Sequence, residues 1–159
     1  MQSLTVPDSE QLQRWLRQAD VPFYLCNDCH GLHLSELQER EGLIDARLFV
    51  EEQGVMFTAE LEIRPSSLLM VHADLSRLNM MFPGLKLFLD INDDTLPRLI
   101  ACDLLLCGQG INADQFVHFV QFSVQECGQL LDECSQVGCL LWPGEDDTPS
   151  SAPAGNALH

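Results

Sequence analysis

Hydrophobic and polar positions along this chain change period several times, and each change marks a new element of secondary structure. Asp8 is followed three residues on by Gln11, a capping-box spacing, after which Leu12, Trp15, Leu16 and Ala19 share one helical face up to Pro22. Residues 23–34 alternate about Asn27-Asp28 and predict a β-hairpin, and a short polar connection, residues 35–42, follows without a clear period. Ile44, Ala46, Leu48 and Val50 then alternate with polar or outward positions, and across Glu52-Gln53-Gly54 the same holds for Val55, Phe57, Ala59, Leu61 and Ile63. This predicts an antiparallel hairpin with one core face.

Pro65-Ser66-Ser67 opens a second helix, in which Leu68, Val71, Leu75, Leu78 and Phe82 recur at helical spacing before Pro83-Gly84 stops it. Leu85, Leu87, Leu89 and Ile91 alternate as a strand. After the acidic loop Asn92-Asp93-Asp94-Thr95, residues 98–107 are almost continuously apolar, as in an interior strand. The last helix has the strongest stripe: Phe116, Phe119, Val120, Ser123, Val124, Cys127, Leu130, Leu131 and Cys134, with Asn112 and Gln115 as its cap. Leu140-Leu141-Trp142 reads as a short edge segment or packing anchor. The elements sum to an α+β fold, order α-β-β-β-β-α-β-β-α, with a single mainly antiparallel sheet packed against helices. Residues 1–142 form one domain, and residues 143–159, rich in Pro, Ser, Ala and acid, are expected to be a mobile tail.

Composition narrows the setting. A chain of 159 residues buries roughly 70% of its unfolded surface without staples, and no stretch approaches the ~20 apolar residues of a membrane span. Seven cysteines without a signal peptide read as reduced thiols, which predicts a cytoplasmic protein. With 24 Asp plus Glu against 8 Lys plus Arg, a net charge of −16 opposes phosphate backbones and anionic lipid. Nucleic-acid and membrane binding are therefore not expected, whereas a basic or amphipathic protein client suits this surface.

The densest chemistry lies in the hairpin, at Cys26, Cys29, His30 and His33. Cys26-x-x-Cys29-His30 matches the attachment pattern of c-type haem, but covalent haem belongs to exported proteins and no export signal precedes it. Cys26, Cys29 and His33 form a candidate half zinc site, and Cys26-x-x-Cys29 alone a candidate thiol couple. If Asn27-Asp28 is a two-residue turn, Phe23, Leu25, His30, Leu32 and Leu34 face the core, and Tyr24, Cys26, Cys29, Gly31 and His33 face away from it. Along a regular strand His33 then lies about 13 Å from Cys29, too far to share an ion held by bonds of ~2.0 to 2.3 Å. The plain hairpin is the expected reading, and a zinc- or thiol-based sensor the alternative.

Other motifs carry less. Gly108-x-Gly110-x-x-Ala113 joins a strand to a helix like a dinucleotide-binding turn but lacks the further parallel strand. His72 and His118 lie beside the apolar stripes, and residues 90–94 have no EF-hand spacing. No nucleophile, base and orienter set is visible, so no enzyme, catalytic residue or cofactor is assigned.

Several strings together resemble one family: Cys26-x-x-Cys29-x-x-Leu32-His33-Leu34, Arg64-Pro65-Ser66 with Ala73-Asp74-Leu75-Ser76, Phe88-Leu89-Asp90 with Asp93-Asp94-x-Leu96-Pro97, and Gln109-Gly110 with Gln115-Phe116. They resemble the YbjN family, small bacterial proteins described as sensory-transduction regulators, over residues 5–142. The resemblance implies a fold like that of type III secretion chaperones and a non-enzymatic, protein-binding role tied to stress response, motility and cell-surface regulation. By the same analogy the chain dimerises and presents sheet and helix surfaces to an extended client. His30 departs from the family string.

Overall fold

A computed structural model describes residues 3–141. Helix α1 (Ser9–Gln18) is capped by Asp8, whose Oδ1 accepts a hydrogen bond from the Gln11 amide at 2.8 Å, and it buries Leu12, Trp15 and Leu16. Strands β1 (Phe23–Leu25) and β2 (Leu32–Leu34) follow, then a single helical turn, α2 (Ser35–Gln38), inside the polar connection where no element is expected. The hairpin β3 (Leu43–Val50) and β4 (Gly54–Glu62) comes next. A 3₁₀ turn (Pro65–Ser67) leads into α3 (Leu68–Met81), and β5 (Lys86–Asp90), β6 (Arg98–Leu106) and the long α4 (Ala113–Gln136) complete the fold. The α4 cap is a full capping box, with Asn112 Oδ1 accepting from the Gln115 amide at 2.9 Å and Gln115 Oε1 accepting from the Asn112 amide at 3.0 Å.

All strands join one six-stranded antiparallel sheet in the order β1-β2-β3-β4-β6-β5. The α+β expectation holds. One face carries Ala46, Leu48, Val55, Phe57, Ala59, Leu61, Leu99 and Ala101 into a single core with the apolar stripes of α1, α3 and α4. Trp15 meets Phe116 at a ring-centroid separation of 5.7 Å, which ties α1 to α4. Strand β6 is interior, as its apolar run predicts, but only one of its faces is covered. Leu104 is 42% exposed and Leu106 67%, so the run marks an uncovered apolar band rather than burial on both sides.

The β3 alternation needs correction at both ends, since Val50, expected in the core, is 44% exposed at the strand's close and the start is out of step. Pairing slips between Leu43 opposite Leu61 and Asp45 opposite Glu60, which leaves Ile44 as an extra residue; Leu43, not Ile44, enters the core. At the far end, Asn79 of α3 turns its amide onto the free edge of β5. Its Oδ1 accepts from the Leu87 amide at 2.9 Å and its Nδ2 donates to the Leu87 carbonyl at 3.0 Å.

Leu140 bridges Ile63 in antiparallel fashion and Leu141 is buried, in keeping with a packing anchor there. Trp142 and the proposed tail, residues 143–159, lie outside the described residues. Phe119 is buried under α4 while His118 is exposed. Phe119→Ala should therefore cost about 3 to 5 kcal/mol in chemical denaturation and His118→Ala under about 0.5 kcal/mol; equal losses would mean that the buried face of α4 is misassigned.

Candidate metal and thiol site

Strand pairing of the first hairpin places Phe23 opposite Leu34, Tyr24 opposite His33 and Leu25 opposite Leu32. This differs by two residues from the register of an Asn27-Asp28 turn. Residues 26–31 become an irregular loop, and the extended spacing on which a remote His33 depends no longer applies. His33 is the first correction. Its Nε2 lies 3.2 Å from Cys26 Sγ and 3.3 Å from Cys29 Sγ, and the sulfurs are 3.1 Å apart. His30 is the second and Leu25 the third: both are expected to face the core, but His30 is exposed on the loop and Leu25 is 56% exposed at the end of β1.

The loop is held by its own backbone. The Cys29 amide donates to Cys26 Sγ at 3.3 Å. Gly31 is buried against β3, where a Cβ would sit 3.0 Å from Phe49 Cε1, so a side chain there would have to push the Phe49 ring aside. Tyr24 closes another side, its ring stacked on His33 at 4.7 Å between centroids and 10° between planes. With the imidazole so enclosed, His33 is only 5% exposed.

Gln38 explains how His33 is aimed. Its Nε2 donates to the Ile44 carbonyl at 3.3 Å and its Oε1 accepts from the Ala46 amide at 2.9 Å, so its amide satisfies the backbone on both sides of the β3 slip. That orientation presents Oε1 to His33 Nδ1 at 3.1 Å, with Asp45 Oδ1 3.4 Å from the same nitrogen. Both neighbours are acceptors. Nδ1 therefore carries the proton and Nε2 offers its lone pair to the sulfurs, the arrangement in which a metal-binding histidine is oriented by a carboxylate or carbonyl behind it.

The Cys29 thiol is lowered to about 7, first by its hydrogen bond with Cys26, then by the Gly31 amide and by Arg47, against an opposing effect of burial. Arg47 also pairs with Glu60 at 2.7 Å, and Glu60 with Arg98 at 2.8 Å, extending a charged row across the bare face of the sheet. Cys107, Cys127, Cys134 and Cys139 behave as core residues, while Cys102 is half-buried on β6. Burial pushes Cys127 up to about 12, and Cys134 and Cys139 are fully enclosed.

The structure thus unites Cys26, Cys29 and His33, and adds Tyr24, Gln38, Asp45 and Arg47. Tyr24 shares the alternation face of the cysteines and was legible on that ground; Gln38 and Asp45 belong to a one-turn helix and a bulge that leave no period. The other motifs stay apart. His72 and His118 are exposed, and residues 90–94 are organised by Asn92, whose Oδ1 accepts from the amides of Asp94 and Thr95 at 3.0 and 2.9 Å. Gly110 has a φ of 82° and lies against Leu4, because the Thr5–Ile111 bridge runs past it. Strand β6 is antiparallel to both neighbours, so the Gly108 loop has no dinucleotide-type β-α-β unit around it.

A bacterial family described as "Putative bacterial sensory transduction regulator", YbjN, matches residues 8–136. The chain belongs to the YbjN family. The YbjN proteins of Escherichia coli K12 and of Shigella flexneri are each 35% identical to it over 159 residues, covering the whole of both chains. The crystal structure of YbjN from E. coli, described as a putative transcription regulator, superposes with a TM-score of 0.84 at 36% identity and covers 88% of this chain and 99% of that one. The family is thus one described in regulatory terms, and its solved E. coli member shares the α+β fold of this chain.

Two outcomes follow for the reduced, metal-free protein. Alkylation of Cys29 by iodoacetamide should rise with pH through a midpoint near 7, because the thiolate is the form present above that value, while Cys127 stays unlabelled until unfolding. A midpoint at the ordinary thiol value would remove the hydrogen bonds assigned to Cys29. Gln38→Ala should lower stability by about 1 to 3 kcal/mol in urea denaturation, since it strands the Ala46 amide and the Ile44 carbonyl.

Proposed function

We propose that this YbjN-family chain is a non-enzymatic regulator that binds a soft divalent cation of the zinc class at Cys26, Cys29 and His33 and passes its occupancy to a protein client. The observation that carries this is the near-equilateral triangle of Cys26 Sγ, Cys29 Sγ and His33 Nε2, with sides of 3.1, 3.2 and 3.3 Å. A point about 2.0 to 2.3 Å from all three donors lies roughly 1 Å above their plane, so one ion can reach all three at the bond lengths of zinc to thiolate and imidazole. A dithiol switch would use only the two sulfurs. The equal approach of His33 to both of them and the acceptors aligned behind its Nδ1 go beyond the thiol activation that such a switch needs, and match what a metal site asks of a histidine. The depressed Cys29 thiol supports the same reading, because the ligating form is the thiolate.

The output side follows from charge and surface. Net charge is −16, and Arg40, Arg47, Arg77 and Arg98 each pair with a carboxylate, which leaves little to attract a phosphate backbone. The uncovered band of Leu104, Leu106 and Phe88 lies on the sheet face that also bears His33, so a protein client there would contact the surface continuous with the cluster.

Reduced protein purified without chelator should contain one zinc per chain. Chelation should lower its thermal midpoint by roughly 10 °C, as expected for a ligand present far above its dissociation constant. Cys26→Ser combined with Cys29→Ser should remove both the metal and the chelator response; a metal-free wild-type protein that takes up no zinc under reducing conditions would overturn the proposal. Titration with duplex DNA at physiological salt should give no binding, and salt-sensitive micromolar association would show that regulation is exerted on nucleic acid instead.

A further inference from the structure

Three donors do not finish a zinc-class site. Closed sites of this kind are four-coordinate and tetrahedral, so one position is left beside Cys26, Cys29 and His33. Next to the two sulfurs lies an open cavity of about 360 Å³, whose lining includes Ser9, Gln13, Phe49 and His30 as well as both cysteines. Of these neighbours only His30 carries a nitrogen donor of the type that thiolate sites accept; Ser9 offers a hydroxyl, Gln13 an amide and Phe49 only carbon.

His30 is free to move. It is exposed, its side chain makes no hydrogen bond within the described residues, and the backbone bends at His30 itself, so the imidazole can turn toward the cavity without breaking an existing contact. Asp28, the other titratable side chain of the loop tip, does not line the cavity and is a harder oxygen donor. We infer that His30 swings into this cavity as the fourth ligand and completes a Cys26-Cys29-His30-His33 site for a tetrahedral soft divalent cation. The inference rests on the three-donor reading above. Its consequence is specific: a closed shell leaves no position for a substrate or a reactive water, and occupancy pins the tip of the 26–31 loop down against β2, which suits a regulatory centre rather than a catalytic one.

Cobalt(II) alone is the probe, titrated into the reduced full-length chain and followed by its ligand-field absorption. The wild-type protein should give the intense bands of four-coordinate cobalt. His30→Ala should bind more than about tenfold more weakly with diminished bands, since removing even a residue behind a ligand costs about that much. His30→Cys should restore tight binding and strengthen the sulfur-to-cobalt charge transfer. His72→Ala and His118→Ala, at exposed histidines far from the loop, should match wild type. The metal-free thermal midpoint of His30→Ala should equal that of wild type, so that weaker binding is not read from a misfolded chain. If His30→Ala keeps the wild-type affinity and band intensity while the double cysteine variant loses both, the fourth ligand is not His30 and the three-donor reading survives. If the wild-type chain shows no tetrahedral cobalt, the metal reading and this inference fall together.

Discussion

The side-chain amide of Gln38 is the contact on which the site depends. The slip in β3 leaves the Ile44 carbonyl and the Ala46 amide in need of partners, and a buried backbone group without one costs about 1 to 3 kcal/mol. Gln38 answers both with one planar group, which fixes its orientation and hence the acceptor that faces His33. The local irregularity and the imidazole tautomer are two results of the same hydrogen-bonding requirement. Helix α2, a single turn, exists in the right place because it carries this side chain over the slip.

Much of the fold could be read from periodicity, and the part that could not has a definite cause. The stripes of α1 and α4 and the alternation of β4 are long enough to set both type and face. In the first hairpin, the face set of Tyr24, Cys26, Cys29, Gly31 and His33 is also right, yet the distance from Cys29 to His33 is wrong. A slip of one residue would exchange the faces and be betrayed by hydrophobicity, but a slip of two preserves the faces of the paired residues and releases only the loop between them, His30 included. The two-residue turn at Asn27-Asp28 and the observed loop over residues 26–31 are therefore indistinguishable by pattern. Only the second turns a hairpin into a cluster of converging donors. In β3 the extra residue has the opposite effect, moving Leu43 into the core place that alternation gives to Ile44.

Electrostatics join this corner to the rest of the sheet. Arg47 contributes to the lowered Cys29 thiol while its guanidinium is held by Glu60, which also holds Arg98 two strands further on. Partial burial makes these pairs worth more than exposed ones, and removing Glu60 would take from both guanidiniums the carboxylate they share. Of its few basic residues the chain has set Arg47 beside the cysteines and linked it through Glu60 to Arg98.

The Asn79 amide, seated on the Leu87 backbone at the β5 edge, bears on a different matter: what happens when many copies of this chain meet. A free strand edge is a template, and an incoming strand would need the very amide and carbonyl that Asn79 already occupies. Growth of the sheet from one molecule into the next is thus obstructed at that end by a single side chain from the neighbouring helix. A bare apolar band is hazardous chiefly when it can be stacked into a fibril, and stacking requires edges that join. By plugging this border, Asn79 lets the molecule keep a sticky face in a crowded cell without that face becoming the seed of an ordered aggregate.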